Sequence, residues 1–194
     1  HPFGQPVIGT RRNIEGFTRA QLAEHVLAHY TGANVIVAAA GPLDARELVA
    51  AAAQAFGALP SGQPNTVDPA SYVGGLASRH VAGTGQAHLV LGYPLPPLAL
   101  DDESGMLAAA VLGEGMSSPL MECLREERGL VYYAACSADV LAPGGQFVIE
   151  ASMAPERLDE CVSETLRLLA RHAQTVDAVD LERARHQIQV RRLR

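Results

Sequence analysis

The stretch between Leu112 and Tyr132 leaves the backbone very few local choices. It reads Leu112-Gly113-Glu114-Gly115-Met116-Ser117-Ser118-Pro119-Leu120, then Leu124-Arg125-Glu126-Glu127-Arg128-Gly129-Leu130-Val131-Tyr132. Gly113 and Gly115 release the chain from a preceding helix. Ser117 or Ser118 can cap the next helix, and Pro119 suits its first turn, where no amide donor is needed. Gly129 is placed to stop that helix, because the left-handed position past a helix end favours a residue without Cβ. The turn into Val131 and Tyr132 is therefore sharp, and Arg125 and Tyr132 are expected to project toward one space.

The flanking sequence carries equally local signals. Thr18 with Gln21 forms a capping box for a helix over about 19–30, and Asp44 with Glu47 starts another that stops at Gly57. Between them Val35–Ala40 is a short apolar run that suits a buried strand. Residues 86–93 alternate with a period of two, which predicts a strand broken by Pro94-Leu95-Pro96-Pro97, and its edge offers backbone groups to an added peptide strand. Asp101 or Asp102 can cap a helix through Leu112, with Leu107, Ala110 and Val111 on one side. Strands over 131–139 and 146–153 are expected to form a hairpin across Ala142-Pro143-Gly144-Gly145. Pro155 opens a helix with a stripe of Leu158, Val162, Leu166 and Leu169. Val176, Asp177 and Leu181 start a last helix, whose Arg191-Arg192-Leu193-Arg194 end reads as solvated.

The Gly-, Pro- and Ser-rich run between these halves marks a boundary. The expected organisation is a partial α/β repeat over 1–60 (helix–strand–helix), a linker over 61–78, and a second repeat over 79–194. In that second repeat the element order gives an α+β unit, helices packed on a mostly antiparallel sheet.

Composition excludes several functions. Fifteen Lys and Arg against 21 Asp and Glu, a balance of −6, provide no basic field for nucleic acid. No apolar run approaches the ~20 residues of a membrane span, and no signal peptide is visible. The first residue is His1 rather than Met, so a mature or truncated product is expected, in solution in a bacterial cytoplasm or periplasm. Cys123, Cys136 and Cys161 are too scattered for ligand pairs and read as buried small residues. His80 and His88, near the 86–93 strand, read as structural histidines. His25 and His29 have the spacing that places two imidazoles on one helical face, but Val26, Leu27 and Ala28 between them supply no carboxylate to activate water. They read as helix-surface residues, and the chain as having no zinc site. Nor does Gly113-Glu114-Gly115 make a phosphate loop, since it lacks the Lys and Ser/Thr and carries an acid.

The run LGEGMSSPL followed by LREERGLVY resembles the second-domain signature of the pitrilysin and insulinase-like zinc metallopeptidases, which include the mitochondrial processing peptidases. Glu114 stands where that signature has a middle glycine, and Pro119 where arginine is frequent. The opening HPFGQPVIGT and FTRAQLAEHVLAHYTGANVIVAAAGPLD resemble the segment that follows the zinc site in the same family, whose zinc motif lies upstream. The resemblance implies the processing-peptidase-like metallohydrolase fold. It implies zinc in the intact enzyme or a partner subunit, none in this piece, and a homo- or heterodimer or a zinc-bearing N-terminal half as partner.

It also implies that Arg125 and Tyr132 hold a peptide carbonyl and its oxyanion, acting with a zinc site elsewhere, while Gly113, Glu114 and Gly115 line the substrate chamber. The chain is then the C-terminal domain of a zinc-dependent metalloendopeptidase, inactive alone. A non-catalytic partner or scaffold subunit that binds peptides is the alternative, and an inert homologue a third. Read by residue type alone, Arg125 can instead pair with Glu122 on its own helix and Tyr132 can belong to a strand core.

Overall fold

The structure, a computed structural model, describes residues 1–100 and 102–193; Asp101 and Arg194, weighed above as a cap and as part of the arginine end, lie outside the described residues. The chain forms two compact units, His1–Asp68 and Pro69–Arg194.

In the first unit α1 spans Arg11–Gly16, α2 Arg19–His29 and α3 Ala45–Phe56. Each start follows from its cap. Thr18 Oγ1 accepts from the Gln21 amide at 3.3 Å while Gln21 Oε1 accepts from the Thr18 amide at 2.9 Å, so the capping box is complete. Asp44 accepts from the Arg46 and Glu47 amides, at 2.7 and 3.2 Å. The strand expected at Val35–Ala40 is absent. A strand exists through its ladder, and among the described residues nothing pairs with this extended run, whose Ile36 is 93% exposed.

Residues 60–65 are strapped to the end of α2. Gly32 N–H donates to Pro60 O (2.8 Å), Ala33 N–H to Ser61 O (2.9 Å), and Asn34 Nδ2 to Gln63 O (3.0 Å). Beneath the strap Thr31 is buried.

The second unit is α+β, as its element order predicts. Strands β1 (Ala87–Leu95), β2 (Val131–Leu141) and β3 (Gly144–Met153) form an antiparallel sheet in the order β1-β3-β2. The hairpin is tighter than expected, since Leu141 pairs with Gly144 and only Ala142-Pro143 forms the loop. Strand β1 runs through Pro94 to Leu95; an outer strand tolerates a residue without an amide donor. Register places Leu89, Leu91, Phe147, Ile149, Ala151, Ala134 and Cys136 on one face, where they join the core. His88, Ser152 and Tyr133 stand abreast on the other face, followed by Val90, Glu150 and Ala135.

Helix α4 (Ser104–Gly113) is enclosed on two sides. Ala109 and Leu112 pack toward the sheet. Ala110, Val111 and Leu107 pack against Ala184, Leu181 and Ile188 of α7 (Ala178–Arg192). The side predicted from Leu107, Ala110 and Val111 is thus real but faces a helix. The short α5 (Pro119–Met121) follows, and α6 (Leu158–Gln174) covers the sheet near β1. Its inward stripe is rotated from the expected one. Cys161, Thr165 and Leu168 are buried and Leu166 is 46% exposed. Thr165 can lie inside because its hydroxyl donates to Cys161 O at 2.7 Å.

All three cysteines are free and buried. Burial pushes the Cys136 thiol from 9.0 up to about 12. The folded chain keeps this thiol neutral where the unfolded chain ionises it, so its contribution is complete below pH 9.0 and is lost as pH rises toward 12. Urea unfolding above about pH 9 should lose about 1.4 kcal/mol per pH unit from this group. A Cys136→Ala variant should lack that component of the slope.

Candidate functional site

Ser118 begins the site. It is fully buried, and its hydroxyl accepts from the Met121 amide at 3.4 Å, with Pro119 at the first helical position. The expected single α-helix then does not continue. From Glu122 to Glu127 the backbone widens into a π-helix, a form concentrated at functional positions. Gly129 adopts φ +59° and ends it. The Gly129 amide donates to Arg125 O at 3.0 Å and the Leu130 amide to Leu124 O at 2.8 Å. Leu124 and Leu130 are both buried, so this bond fixes the entry into β2 from below.

Arg125 lies on the open side of that π-helix with its side chain 43% exposed. Its ion pair among the described residues is with Glu126, at 3.7 Å; the alternative pair with Glu122 does not form. Its neighbour Arg128 is committed elsewhere. It meets Glu164 at 3.0 Å and Glu160 at 3.8 Å, and Glu164 also holds Arg167 at 2.6 Å, a clasp between the π-helix and α6.

Tyr132 owes its position to a β-bulge. Val131 stands opposite Met153 and Tyr133 opposite Ser152, leaving Tyr132 as the extra residue of the ladder. Without the bulge, strict alternation inward from buried Ala134 would turn Tyr132 into the core. With it, Val131 and Ala134 are both buried while Tyr132 and Tyr133 are 57% and 52% exposed. The reading of Tyr132 as a core residue is thereby overturned. Tyr133 is exposed beside it, and the tyrosine doublet breaks a period of two between apolar neighbours.

The glycine-rich segment is less open than expected. Gly113 is the last residue of α4, buried, and a Cβ on it would lie 2.5 Å from the Cys136 backbone nitrogen. It serves close packing of α4 on β2 rather than release of a loop. Gly115, with φ +88°, makes the turn. Glu114 between them is anchored to α7. Its carbonyl accepts from Arg183 Nη1 at 2.9 Å and its carboxylate meets Arg191 Nη1 at 3.4 Å. Arg183 Nη2 also donates to Val111 O at 2.8 Å, so one guanidinium serves carbonyls that the end of α4 leaves unpaired. Arg191 and Arg192 are exposed, as a solvated end requires, and add surface ion pairs to Glu114 and Glu103.

Among the described residues no group of three His, Cys, Asp or Glu is placed to hold a metal. No helix among them is long and apolar enough to cross a membrane.

The sequence profile of the peptidase M16 inactive domain matches residues 16–188. The chain belongs to this family. This M16 domain is 32% identical over 189 residues to an uncharacterized zinc protease of Rickettsia bellii, covering 96% of the chain and 46% of that protein. It is 33% identical over 178 residues to an uncharacterized zinc protease of Mycobacterium tuberculosis, covering 87% and 40%. The chain thus spans about half the length of the curated relatives it matches. Its fold is similar to that of a peptidase M16 inactive domain from Pseudomonas fluorescens, with TM-score 0.82 and 23% identity over 100% of this chain and 48% of the other. A chain of complex III from Candida albicans matches with TM-score 0.86 and 19% identity, over 96% and 47%.

The Gly113 contact generates a test. Gly113→Ala in the M16 domain should lower stability by about 1–3 kcal/mol, the scale of overpacking a filled core. Thermal unfolding measures it, and a wild-type midpoint would show that β2 yields at Cys136.

Proposed function

We propose that this M16 domain is the C-terminal part of a zinc-dependent metalloendopeptidase, where it shapes the substrate chamber and presents Arg125 and Tyr132 to the peptide. One observation supports the reading above others. Two backbone irregularities, the π-helix at Glu122–Glu127 and the bulge at Tyr132, fall on the two residues that the signature nominates, and each leaves its side chain in solvent. A guanidinium offers a planar fork of donors and a phenol one more. Together they suit a peptide carbonyl and the negative charge that develops on its oxygen during hydrolysis, where preorganised donors act most strongly. Glu114 and Gly115 would contribute wall and backbone beside them, with Gly113 setting the wall's position from beneath.

The residues of this chain do not fit a catalytic zinc. His25 and His29 lack both the intervening carboxylate and a third ligand among the described residues. In the proposal the metal and its base belong to an N-terminal half or a partner subunit, and residues 1–60 are the tail of that upstream repeat. A homo- or heterodimer would close the chamber.

A second reading is a non-catalytic partner or scaffold subunit that binds peptides without cleaving them. Metal content and cleavage of an unstructured fluorogenic peptide, measured on the full-length protein, separate the two. Bound zinc with chelator-sensitive cleavage supports the peptidase. Neither, with cleavage restored only by a zinc-bearing companion, supports the partner subunit.

Within the active protein or assembly, Arg125→Ala should lower peptide turnover on the order of 10²-fold, the scale of losing one oxyanion donor, with Tyr132→Phe acting in the same direction. Turnover unchanged by Arg125→Ala would remove the role assigned to it.

A further inference from the structure

The His25–His29 pair was set aside for catalysis because it lacks a carboxylate, but its surroundings in the first unit are organised in a way a solvated helix face does not require. The two imidazoles lie one turn apart on α2 with ring centroids 4.5 Å apart and planes tilted by 43°. Nδ1 of His29 sits 2.8 Å from Oδ1 of Asn65. An amide oxygen only accepts, so Nδ1 carries the hydrogen and Nε2 keeps its lone pair for a ligand.

Asn65 is itself held in place. Its amide donates to Asn34 Oδ1 at 2.7 Å, and Asn34 Nδ2 donates to Oγ1 of buried Thr31 at 2.8 Å. The strap over residues 60–65 thus delivers an oriented acceptor behind one imidazole, the arrangement that fixes the tautomer and raises the basicity of a metal-ligating histidine. Both histidines line a cavity of about 700 Å³, together with Tyr30, Asn34, Asn65 and Thr66.

From this we infer that His25 and His29 form a two-imidazole chelate for a divalent late transition metal, with Asn65 as the positioning residue behind His29 and water completing the coordination from the cavity. Late first-row ions are favoured, because Cu²⁺ and Ni²⁺ bind imidazole more tightly than the ions preceding them in the row. The site is separate from Arg125 and Tyr132 in function. No carboxylate lies between the two histidines, so the site takes up metal without hydrolysing peptide.

Calorimetric titration with Ni²⁺ of the full-length protein as purified tests the assignment independently of any cleavage. The wild type should bind one equivalent that His25→Ala and His29→Ala each weaken by tenfold or more, with unchanged far-ultraviolet circular dichroism showing that each variant folds. Asn65→Ala should weaken it about tenfold, the usual effect of losing an outer partner, and Asn65→Asp should strengthen it. His80→Ala should leave it unchanged. Binding retained by His29→Ala or Asn65→Ala, or lost equally in His80→Ala, would overturn the site.

Discussion

Enclosure of α4 between the sheet and α7 governs the second unit. A helix packed on two sides cannot carry large residues all round, and α4 meets this with Ala109, Ala110, Gly105 and Gly113 among its buried positions. Gly113 lets the helix end lie against Cys136 of β2, closer than any side chain would allow. The close approach also removes water from the carbonyls at the helix end. Arg183 replaces it, with two nitrogens on Val111 O and Glu114 O. Burial, glycine and guanidinium are thus parts of one solution.

The same packing determines what reaches the surface beyond it. With α4 against β2, the following turn must return the chain to β2 over a short distance. Ser118, Leu120 and Leu124 are drawn wholly inside. The widened turns of Glu122–Glu127 and the extra residue at Tyr132 absorb the mismatch between helix and strand periods. Both devices interrupt regular hydrogen bonding, and they fall at the Arg125–Tyr132 stretch, where irregular backbone tends to coincide with recognition and chemistry. Arg128, three residues from Arg125, shows the contrast: its guanidinium is occupied by Glu160 and Glu164 of α6, whereas that of Arg125 meets only the 3.7 Å pair with Glu126 among the described residues.

Elements whose determinants lie within a few residues were legible. The Thr18–Gln21 box, the Asp44 cap, the Ser118-Pro119 start, the Gly129 stop and the period of two in β1 and β3 all involve neighbours in the chain, and the structure contains each of them. Elements that depend on distant partners were less so. Val35–Ala40 has the composition of a strand but no ladder among the described residues. The α6 stripe rotated because Cys161 and Thr165, not Leu166, fit beneath it. The hairpin closed to two residues because pairing with β3 reaches Gly144.

For the site, the sequence by itself determined the family to which the chain belongs, the candidates Arg125 and Tyr132, and the stop that separates them. These rest on residue identity and spacing, which chain connectivity preserves. Only the tertiary structure decided that Tyr132 points outward, that Glu114 is tethered to α7, that Gly113 is a packing residue, and that Asn65 stands behind His29. Each of those depends on a contact between segments far apart in the chain, or on one residue of register between β2 and β3. Such contacts are selected by the filling of a shared core, and local propensity carries no record of them.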